Sequence, residues 1–322
     1  MATGQNNKAQ TEIYGSKQSL SARFWQYQGE RFPVFSNGLL IASFSFSAVA
    51  YSRICRGAEG FISPGTFIAG AVITITIFFL LRIFDEHKDA EDDLRYRSHL
   101  PVPRGLISLK ELRNIAIGTI LLQVLVQLLF FPAMFPLYFL VMGYLFLMGK
   151  EFFIARWLKR HQFWYVVTHM MIIPLVDVYA SGLDWWLADV AAPTGLLYFF
   201  LVSFMNGLVL EVGRKIRVAE NEEFNTYSTM LGQKKATWLW LALLCCTLGC
   251  ALAAAQFARY GNAGFFALLS LFFLCAVPGL NFLRRKTVRS SKFIEYSSGI
   301  WTIGMYLALG GIPMLKKLIN QW

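Results

Sequence analysis

The sequence predicts an all-α polytopic membrane protein, built as a bundle of nine transmembrane helices. Two observations predict this class: hydrophobic residues make up 56% of the 322-residue chain, and the mean hydropathy is +0.48. Only 15% of the residues are charged, whereas about a quarter are charged in an ordinary soluble domain. Because a bilayer offers no water to backbone groups, segments that cross it fold as helices or closed barrels, and runs of about 20 apolar residues indicate helices.

Windows of that length locate the nine spans in chain order. The first span is expected to act as an uncleaved insertion signal, because residues 1–33 contain no apolar core of signal-peptide type. Pro132 and Pro136 predict a tight hairpin between the third and fourth spans. The predicted spans are 34–52, 61–84, 112–131, 135–148, 163–179, 193–212, 236–258, 263–282 and 294–312.

The chain divides into two regions at the start of the first span. Residues 1–33 form a polar N-terminal segment, and residues 34–322 form the transmembrane domain. Within the first region, aromatic residues alternate with Arg23 and Arg31. This pattern is typical of an interfacial helix, because aromatic and basic side chains both favour the depth of the lipid headgroups.

The distribution of basic residues predicts the orientation in the membrane. Twenty-five of the 30 lysines and arginines fall in the N-terminal segment and in the loops after the second, fourth, sixth and eighth spans. Basic residues collect in cytoplasmic loops, so the N-terminus and these loops are predicted to be cytoplasmic. Orientation and contact with anionic membrane lipid then explain the net charge of +11, and no nucleic acid is needed as a partner.

Six carboxylates follow the second span, between residues 84 and 105. Asp85, Asp89 and Asp93 are spaced by four residues, which places them on one face of a helix. Like charges at this spacing repel one another, so we expect cations between them. Hard oxygen ligands suit Mg²⁺, which proteins usually hold with one or two carboxylates together with substrate phosphates.

Two other cytoplasmic loops carry charged groups that can complete a site. The loop after the sixth span pairs acids with bases, and Glu211 and Lys215 lie one helical turn apart. The loop after the fourth span carries several cations. Acids that hold a metal and bases that hold phosphate, on one side of the membrane, predict an active-site cap on the cytoplasmic side of the bundle.

This arrangement resembles the UbiA superfamily of intramembrane prenyltransferases. Nine apolar spans, a D-x-x-x-D-x-x-x-D motif with a following PVPRG after the second span, and a second polar motif after the sixth carry the resemblance. It implies an enzyme that transfers an isoprenyl group, with the help of Mg²⁺, from a prenyl diphosphate donor to an aromatic or lipid-like acceptor within the membrane. We expect a multi-pass protein that is located in the bacterial inner membrane.

The resemblance also assigns roles to residues of this chain. The family's first motif usually opens with Asn-Asp, where this chain has Asp85 and Glu86; its second is usually D-x-x-x-D, where this chain has Glu211 and Lys215. Either Lys215 replaces a metal ion with an ammonium, or the acids are displaced to Glu220 and Glu223. Lys215 and Glu211 are assigned to catalysis. The predicted metal ligands are Asp85, Glu86, Asp89, Asp93, Glu220 and Glu223, and the predicted diphosphate-binding residues are Arg82, Lys159, Arg160, Arg214 and Arg104.

Two other function classes remain open at this point. The altered second motif keeps open a membrane terpene cyclase of the same fold, in which no acceptor is needed. A transporter is the weakest of the three hypotheses, because its charged groups should lie at mid-membrane, and only Asp177 and Glu211 approach that description.

Overall fold

The computed structural model describes residues 18–218 and 226–319, and over these residues every regular element is a helix. Nine of the described helical segments are long and apolar enough to cross a membrane, at the nine predicted places. The prediction of an all-helical, multi-pass membrane protein is thereby confirmed. The spans are Val34–Cys55, Pro64–Lys88, Leu109–Phe130, Pro132–Gly149, Gln162–Trp185, Leu196–Arg214, Gln233–Phe257, Gly261–Arg284 and Val288–Ile319.

The described α-helices number fifteen, because several spans are interrupted and short helices lie between others. In chain order they are α1 (Leu20–Arg31), α2 (Val34–Cys55), α3 (Pro64–Lys88), α4 (Ala90–Tyr96), α5 (Leu109–Phe130), α6 (Phe135–Gly149), α7 (Ala155–Arg160), α8 (Gln162–Met170), α9 (Ile172–Trp185), α10 (Leu196–Arg214), α11 (Tyr227–Leu231), α12 (Gln233–Phe257), α13 (Gly261–Arg284), α14 (Val288–Tyr306) and α15 (Ile312–Ile319).

Three interruptions within the spans have local causes. A 3₁₀ turn at Pro132–Met134 forms the predicted hairpin before α6. The fifth span breaks between α8 and α9 at Met171, three residues before Pro174, whose missing amide proton removes one hydrogen bond of the helix. The ninth span contains a π-helical turn at Leu307–Gly311. There a Cβ at Gly310 would overlap the Ser47 backbone of α2, so only glycine allows this close approach.

The core of the bundle is built by the helices that pack around α10. α10 packs against α9, α12 and α14, and α2 packs against α9 and the π turn. Trp240 of α12 is fully buried, and its indole Nε1 donates to Ser298 Oγ of α14 at 2.9 Å. Such polar contacts between helices matter in a bundle where lipid removes most of the hydrophobic driving force for association.

The N-terminal helix α1 docks on the same end of the bundle as the loop that follows α4. Tyr27 of α1 is fully buried in a second, small core with Ile83, Ile107 and Leu112. Arg23 Nη2 lies 2.7 Å from Glu111 Oε1 at the start of α5. The predicted helix of the N-terminal segment is therefore present over Leu20–Arg31, and it is held by both apolar packing and an ion pair.

Two aspartates of α9 occupy very different surroundings. Asp184 is fully buried between Arg53, at 2.8 Å, and Arg56, at 2.5 Å, and it also accepts a hydrogen bond from Ser52 Oγ at 2.8 Å. Asp177 lies two turns away and is also fully buried, but no ion pair of the described residues includes it. Neither of its oxygens has a hydrogen-bond partner among them, although Ser203 lies beside it.

These surroundings predict different costs for the same substitution. Asp184→Asn leaves two arginines without their shared carboxylate, and breaking a buried ion pair costs about 3–5 kcal/mol. Asp177→Asn breaks no ion pair, so we expect a clearly smaller fall in the thermal midpoint of the detergent-solubilised protein, measured by intrinsic fluorescence. Equal falls for the two variants would contradict the ion-pair assignment.

Candidate active site

The acidic stripe Asp85, Asp89 and Asp93 is held in register across the break between α3 and α4. The backbone amides of Asp89 and Asp93 donate to the carbonyl oxygens four residues earlier, at 2.9 and 2.8 Å. Helical spacing therefore continues through Asp89, although that residue caps both helices. All three aspartates line one cavity, which we call the first cavity.

The first cavity has a volume of about 460 Å³ and lies between α3–α4 on one side and α8, α9 and α10 on the other. Its apolar lining comes from positions further into the spans, such as Phe78, which lies two helical turns before Asp85. The other apolar lining residues include Leu81, Met148, Met170, Ile172 and Ile173. One space thus joins a charged surface to an apolar one.

Cations lie between the carboxylates of the stripe. Lys88 Nζ is 3.3 Å from Asp85 Oδ1 and 4.0 Å from Asp89 Oδ1, and Arg97 Nη1 is 3.1 Å from Asp93 Oδ1. Burial raises the pKa of Asp89 above its ordinary value; the charges of Asp85 and Asp93 raise it further, while Lys88 lowers it. The stripe is therefore a partly neutralised acidic surface, as repulsion between its members requires.

The second polar motif lies on the opposite wall of the first cavity. Glu211, at the end of α10, is largely buried and pairs with Arg214 at 2.7 Å and with Lys215 at 2.5 Å. All three line the cavity with the acidic stripe. The aspartates of the stripe and Glu211 lie more than 100 positions apart in the sequence, and they line the same cavity. The predicted ligands Glu220 and Glu223 lie outside the described residues.

A second cavity of about 630 Å³ adjoins the first. The two share lining residues, among them Lys88, Asp89 and Lys215, so these side chains lie between the two cavities. Lys159 and Arg160, which were predicted to bind the diphosphate, line the second cavity and not the first.

Of the predicted site residues that the structure describes, two line neither the first nor the second cavity, namely Glu86 and Arg104. Glu86 is 1% exposed and lies between Arg31 Nε at 2.6 Å and Arg82 Nη2 at 2.9 Å. The reason is geometric: neighbours on a helix point about 100° apart, so Glu86 cannot share the face of Asp85. Arg104 instead pairs with Glu30 of α1 at 2.6 Å and lowers the pKa of that exposed carboxyl by hydrogen bonding. Arg82 does line the first cavity, beside its bond to Glu86.

Several residues that line the first cavity were not predicted. Arg31 reaches it from the N-terminal helix, and the others come from the end of α3, from the segment after α4, from α8, and from the residues that follow α10 and precede α11. A signal existed for Tyr165 and His169, because polar residues spaced by four inside an apolar span are functional candidates. No sequence signal could place Arg31, whose approach depends on how α1 docks. The unpredicted lining residues with functional side chains are Arg31, Lys88, Arg97, His99, Tyr165, His169, Arg217 and Thr226.

The charge of the first cavity favours a polyanion. Among its described lining residues, seven carry a guanidinium or ammonium group and four carry a carboxylate. No group of three or more His, Cys, Asp or Glu side chains in the described residues forms a ready-made metal cage. Mg²⁺ does not need one, because it commonly takes one or two carboxylates and completes its shell with substrate phosphates and water. Asp85 and Asp89 offer such oxygen donors.

A family model decides which proteins this arrangement belongs with. The model of the UbiA prenyltransferase family matches residues 42–309. The chain belongs to the UbiA prenyltransferase family. The match includes both walls of the first cavity, so the predicted family and its enzyme class, a prenyltransferase of the membrane, are confirmed. UbiA enzymes generally use a divalent metal, a prenyl diphosphate donor and a lipid-like acceptor.

One solved structure shows how far the UbiA fold is shared. A structure from a study of digeranylgeranylglyceryl phosphate synthase in membranes superposes with a TM-score of 0.55 at 14% sequence identity. The superposition covers 86% of this chain and 98% of that one. At this identity the similarity concerns the fold alone. No curated protein sequence matches the chain significantly.

The placement of Glu86 predicts a structural effect for its substitution. Glu86→Gln removes the shared charge between Arg31 and Arg82, so we expect the thermal midpoint to fall by the equivalent of about 3 kcal/mol. The matched control is Glu91→Gln on α4, an exposed acid that lines neither cavity and makes no ion pair with the described residues. A Glu86→Gln protein as stable as the control would mean that Glu86 does not hold α1 in place.

Proposed function

We propose that this chain catalyses the Mg²⁺-dependent transfer of an isoprenyl group from a prenyl diphosphate to an aromatic or lipid-like acceptor within the membrane. One observation carries the proposal: the first cavity joins an acidic stripe and a cation-rich wall to an apolar lining set deeper in the spans. A prenyl diphosphate has the same division, with a polyanionic head and an apolar chain.

The diphosphate head is proposed to lie between the stripe and the end of α10. Arg214 and Lys215 face this space, and Lys159 and Arg160 extend the cationic surface through the second cavity. Glu211 orients Arg214 and Lys215 through its two short ion pairs. Lysine and arginine act here as a point charge and a bidentate fork on phosphate oxygens.

Asp85, Asp89 and Asp93 are the proposed metal-binding residues, with Glu220 and Glu223 as further candidates. When bound, Mg²⁺ supplies positive charge to the diphosphate as the allylic C–O bond breaks. The electron pair of that bond leaves with the diphosphate oxygen, and the developing negative charge is stabilised by Lys215 and Arg214. Phe78 and the neighbouring apolar residues exclude water from the allylic cation that remains.

A cyclase remains the second candidate, and a specific observation favours it. The second motif carries Lys215 where the family usually has an acid, and the Lys215 ammonium lies 2.5 Å from Glu211. This position of the motif therefore carries a cation, and it lines the cavity where the diphosphate is proposed to bind. Such a change can stabilise the leaving group without providing for an acceptor, so an acceptor-free reaction is the alternative outcome.

The proposed reaction predicts the products of the purified protein. With Mg²⁺ and a series of prenyl diphosphates of increasing length, mass spectrometry should detect a prenylated product only when a membrane lipid extract is added as the source of acceptor. Removal of Mg²⁺ with a chelator should abolish it. Asp89→Asn should lower turnover by about 100-fold or more, because a proposed Mg²⁺ ligand is lost and with it the positive charge that the metal supplies to the diphosphate.

Glu91→Gln is the control, since its exposed side chain lines neither cavity. A cyclised product formed without the extract would replace the transferase by the cyclase. An absence of any prenyl product, or full activity of Asp89→Asn, would contradict the proposed site.

The orientation is also a proposal, with both cavities and the N-terminus in the cytoplasm of a bacterial cell. Both cavities lie at the end of the bundle where the basic loops predicted to be cytoplasmic are found, and Asp184 with its arginines lies at the other end. The excess of cations at the cavity end supports this orientation.

Cysteine labelling tests the orientation. In a background without native cysteines, Ser98→Cys and Lys235→Cys should react with an impermeant maleimide only after the cytoplasmic face is opened. Ala191→Cys, in the exposed loop before α10, should react in intact cells. Labelling of Ser98→Cys in intact cells would reverse the proposed orientation.

A further inference from the structure

His169 is a buried residue that lines the first cavity, and its imidazole has no role in the reaction proposed above. It lies one residue before the end of α8, is 8% exposed and lines the cavity. Its ring stacks on the Tyr165 ring with centroids 4.0 Å apart, and the edge of Phe152 packs against it. The imidazole is therefore fixed in orientation by aromatic contacts on more than one side.

The hydrogen bond of one ring nitrogen defines the state of the other. His169 Nδ1 lies 2.8 Å from the carbonyl oxygen of Tyr165. A carbonyl oxygen only accepts, so Nδ1 must carry the proton. In the neutral imidazole, which is the usual form near pH 7, Nε2 then presents a lone pair. Nε2 is buried and has no hydrogen-bond partner in the described residues.

The carboxylates of the cavity are already engaged, and His99 is exposed. Asp85 and Asp89 pair with Lys88, Asp93 with Arg97, and Glu211 with two cations. A carboxylate in an ion pair is a weaker proton acceptor, because the neighbouring cation favours its charged form. Among the bases that line the first cavity in the described chain, His169 thus combines a neutral ring, burial and a free lone pair.

Prenyl transfer requires such a group. When the allylic carbon forms its new bond, it takes an electron pair from the acceptor, and the acceptor must lose a proton to become neutral. Among the described residues Nε2 is a buried, unpaired site for that proton, on a side chain that lines the cavity in which donor and acceptor would meet. A buried polar atom without a partner is costly, so a substrate hydrogen bond at Nε2 would remove that cost.

We propose that His169 is a catalytic base, whose Nε2 accepts the proton that the acceptor loses as the prenyl–acceptor bond forms. This inference rests on the proposed transferase function. The allylic C–O bond breaks, and its electron pair leaves with the diphosphate. The acceptor's electron pair forms the new bond to carbon, the electrons of its bond to hydrogen stay with the acceptor, and the proton moves to Nε2. The imidazolium releases that proton to water after the products leave.

His169→Gln and His161→Gln form a matched pair of variants. His161 lies one residue before α8, and its Nδ1 also contacts a carbonyl oxygen, that of Trp157, at 2.9 Å. It is exposed, however, and lines neither cavity. Any effect that both variants share therefore cannot come from the first cavity.

Three quantities are measured with the donor and lipid extract that give the most product with the parent protein. For His169→Gln we expect kcat for transfer to fall by about 100-fold or more, which is the size of a general-base contribution. The KM for the donor should change less than about threefold, because His169 does not hold the diphosphate in this assignment. The prenyl alcohol fraction of the products should rise, since water captures a cation that the acceptor cannot neutralise. His161→Gln should match the parent in all three.

The possible failures are distinguishable. If the parent forms no transfer product, the proposed function fails. If the parent transfers and His169→Gln does so equally well, the function stands and the catalytic base is overturned. A raised donor KM without a change in kcat would also overturn it, because His169 would then bind the donor. His169→Asn, tested for the same kcat loss at an unchanged thermal midpoint, separates chemistry from a folding defect.

Discussion

Repulsion along the acidic stripe is the constraint on which the rest of this structure depends. Three carboxylates on one helical face next to a bilayer are stable together only if cations lie among them. Lys88 supplies one from the stripe's own helix and Arg97 another from the turn after α4. On the facing wall, Glu211 is compensated by its own two cations. The charged end of the bundle is thus a set of locally balanced pairs with a surplus of cations.

The same constraint gives the N-terminal helix a part in the site. Arg31 is the last residue of α1, and its guanidinium contacts Glu86 closely and Asp93 at 3.9 Å. Glu86 thereby links α1 to α3, while Tyr27 and Arg23 hold the rest of α1 on the bundle. One acid of the motif is used for assembly and its neighbour for the cavity, because helical geometry sends adjacent residues to different sides. A segment that lies outside the UbiA match, which begins at residue 42, therefore completes the charged wall.

The sequence is sufficient for the features that depend on a linear pattern. The nine spans follow from runs of apolar residues, and the stripe follows from a spacing of four, so both agree with the structure. Features that depend on contacts between distant segments could not be predicted. One of the two partners of Glu86, Arg31, lies 55 positions away in α1, and the partner of Arg104 lies 74 positions away. The position of Glu86 outside both cavities has a simpler reason, since a rotation of about 100° per residue already separates it from Asp85.

In the first cavity, Tyr165 contacts both a charged residue of α3 and an aromatic ring of α8. The Tyr165 hydroxyl accepts a hydrogen bond from Lys88 Nζ at 3.0 Å, and the Tyr165 ring and carbonyl hold His169. Lys88 pairs with Asp85 of the acidic stripe, so the cation that stabilises the aspartates also contacts the tyrosine that orients the imidazole. A diphosphate and metal at the stripe would change the charge around Lys88, and this chain of contacts leads directly to the histidine. Contacts between side chains of α3 and α8 therefore link the region where the leaving group would depart to the base that would receive the proton. No sequence motif relates these two helices.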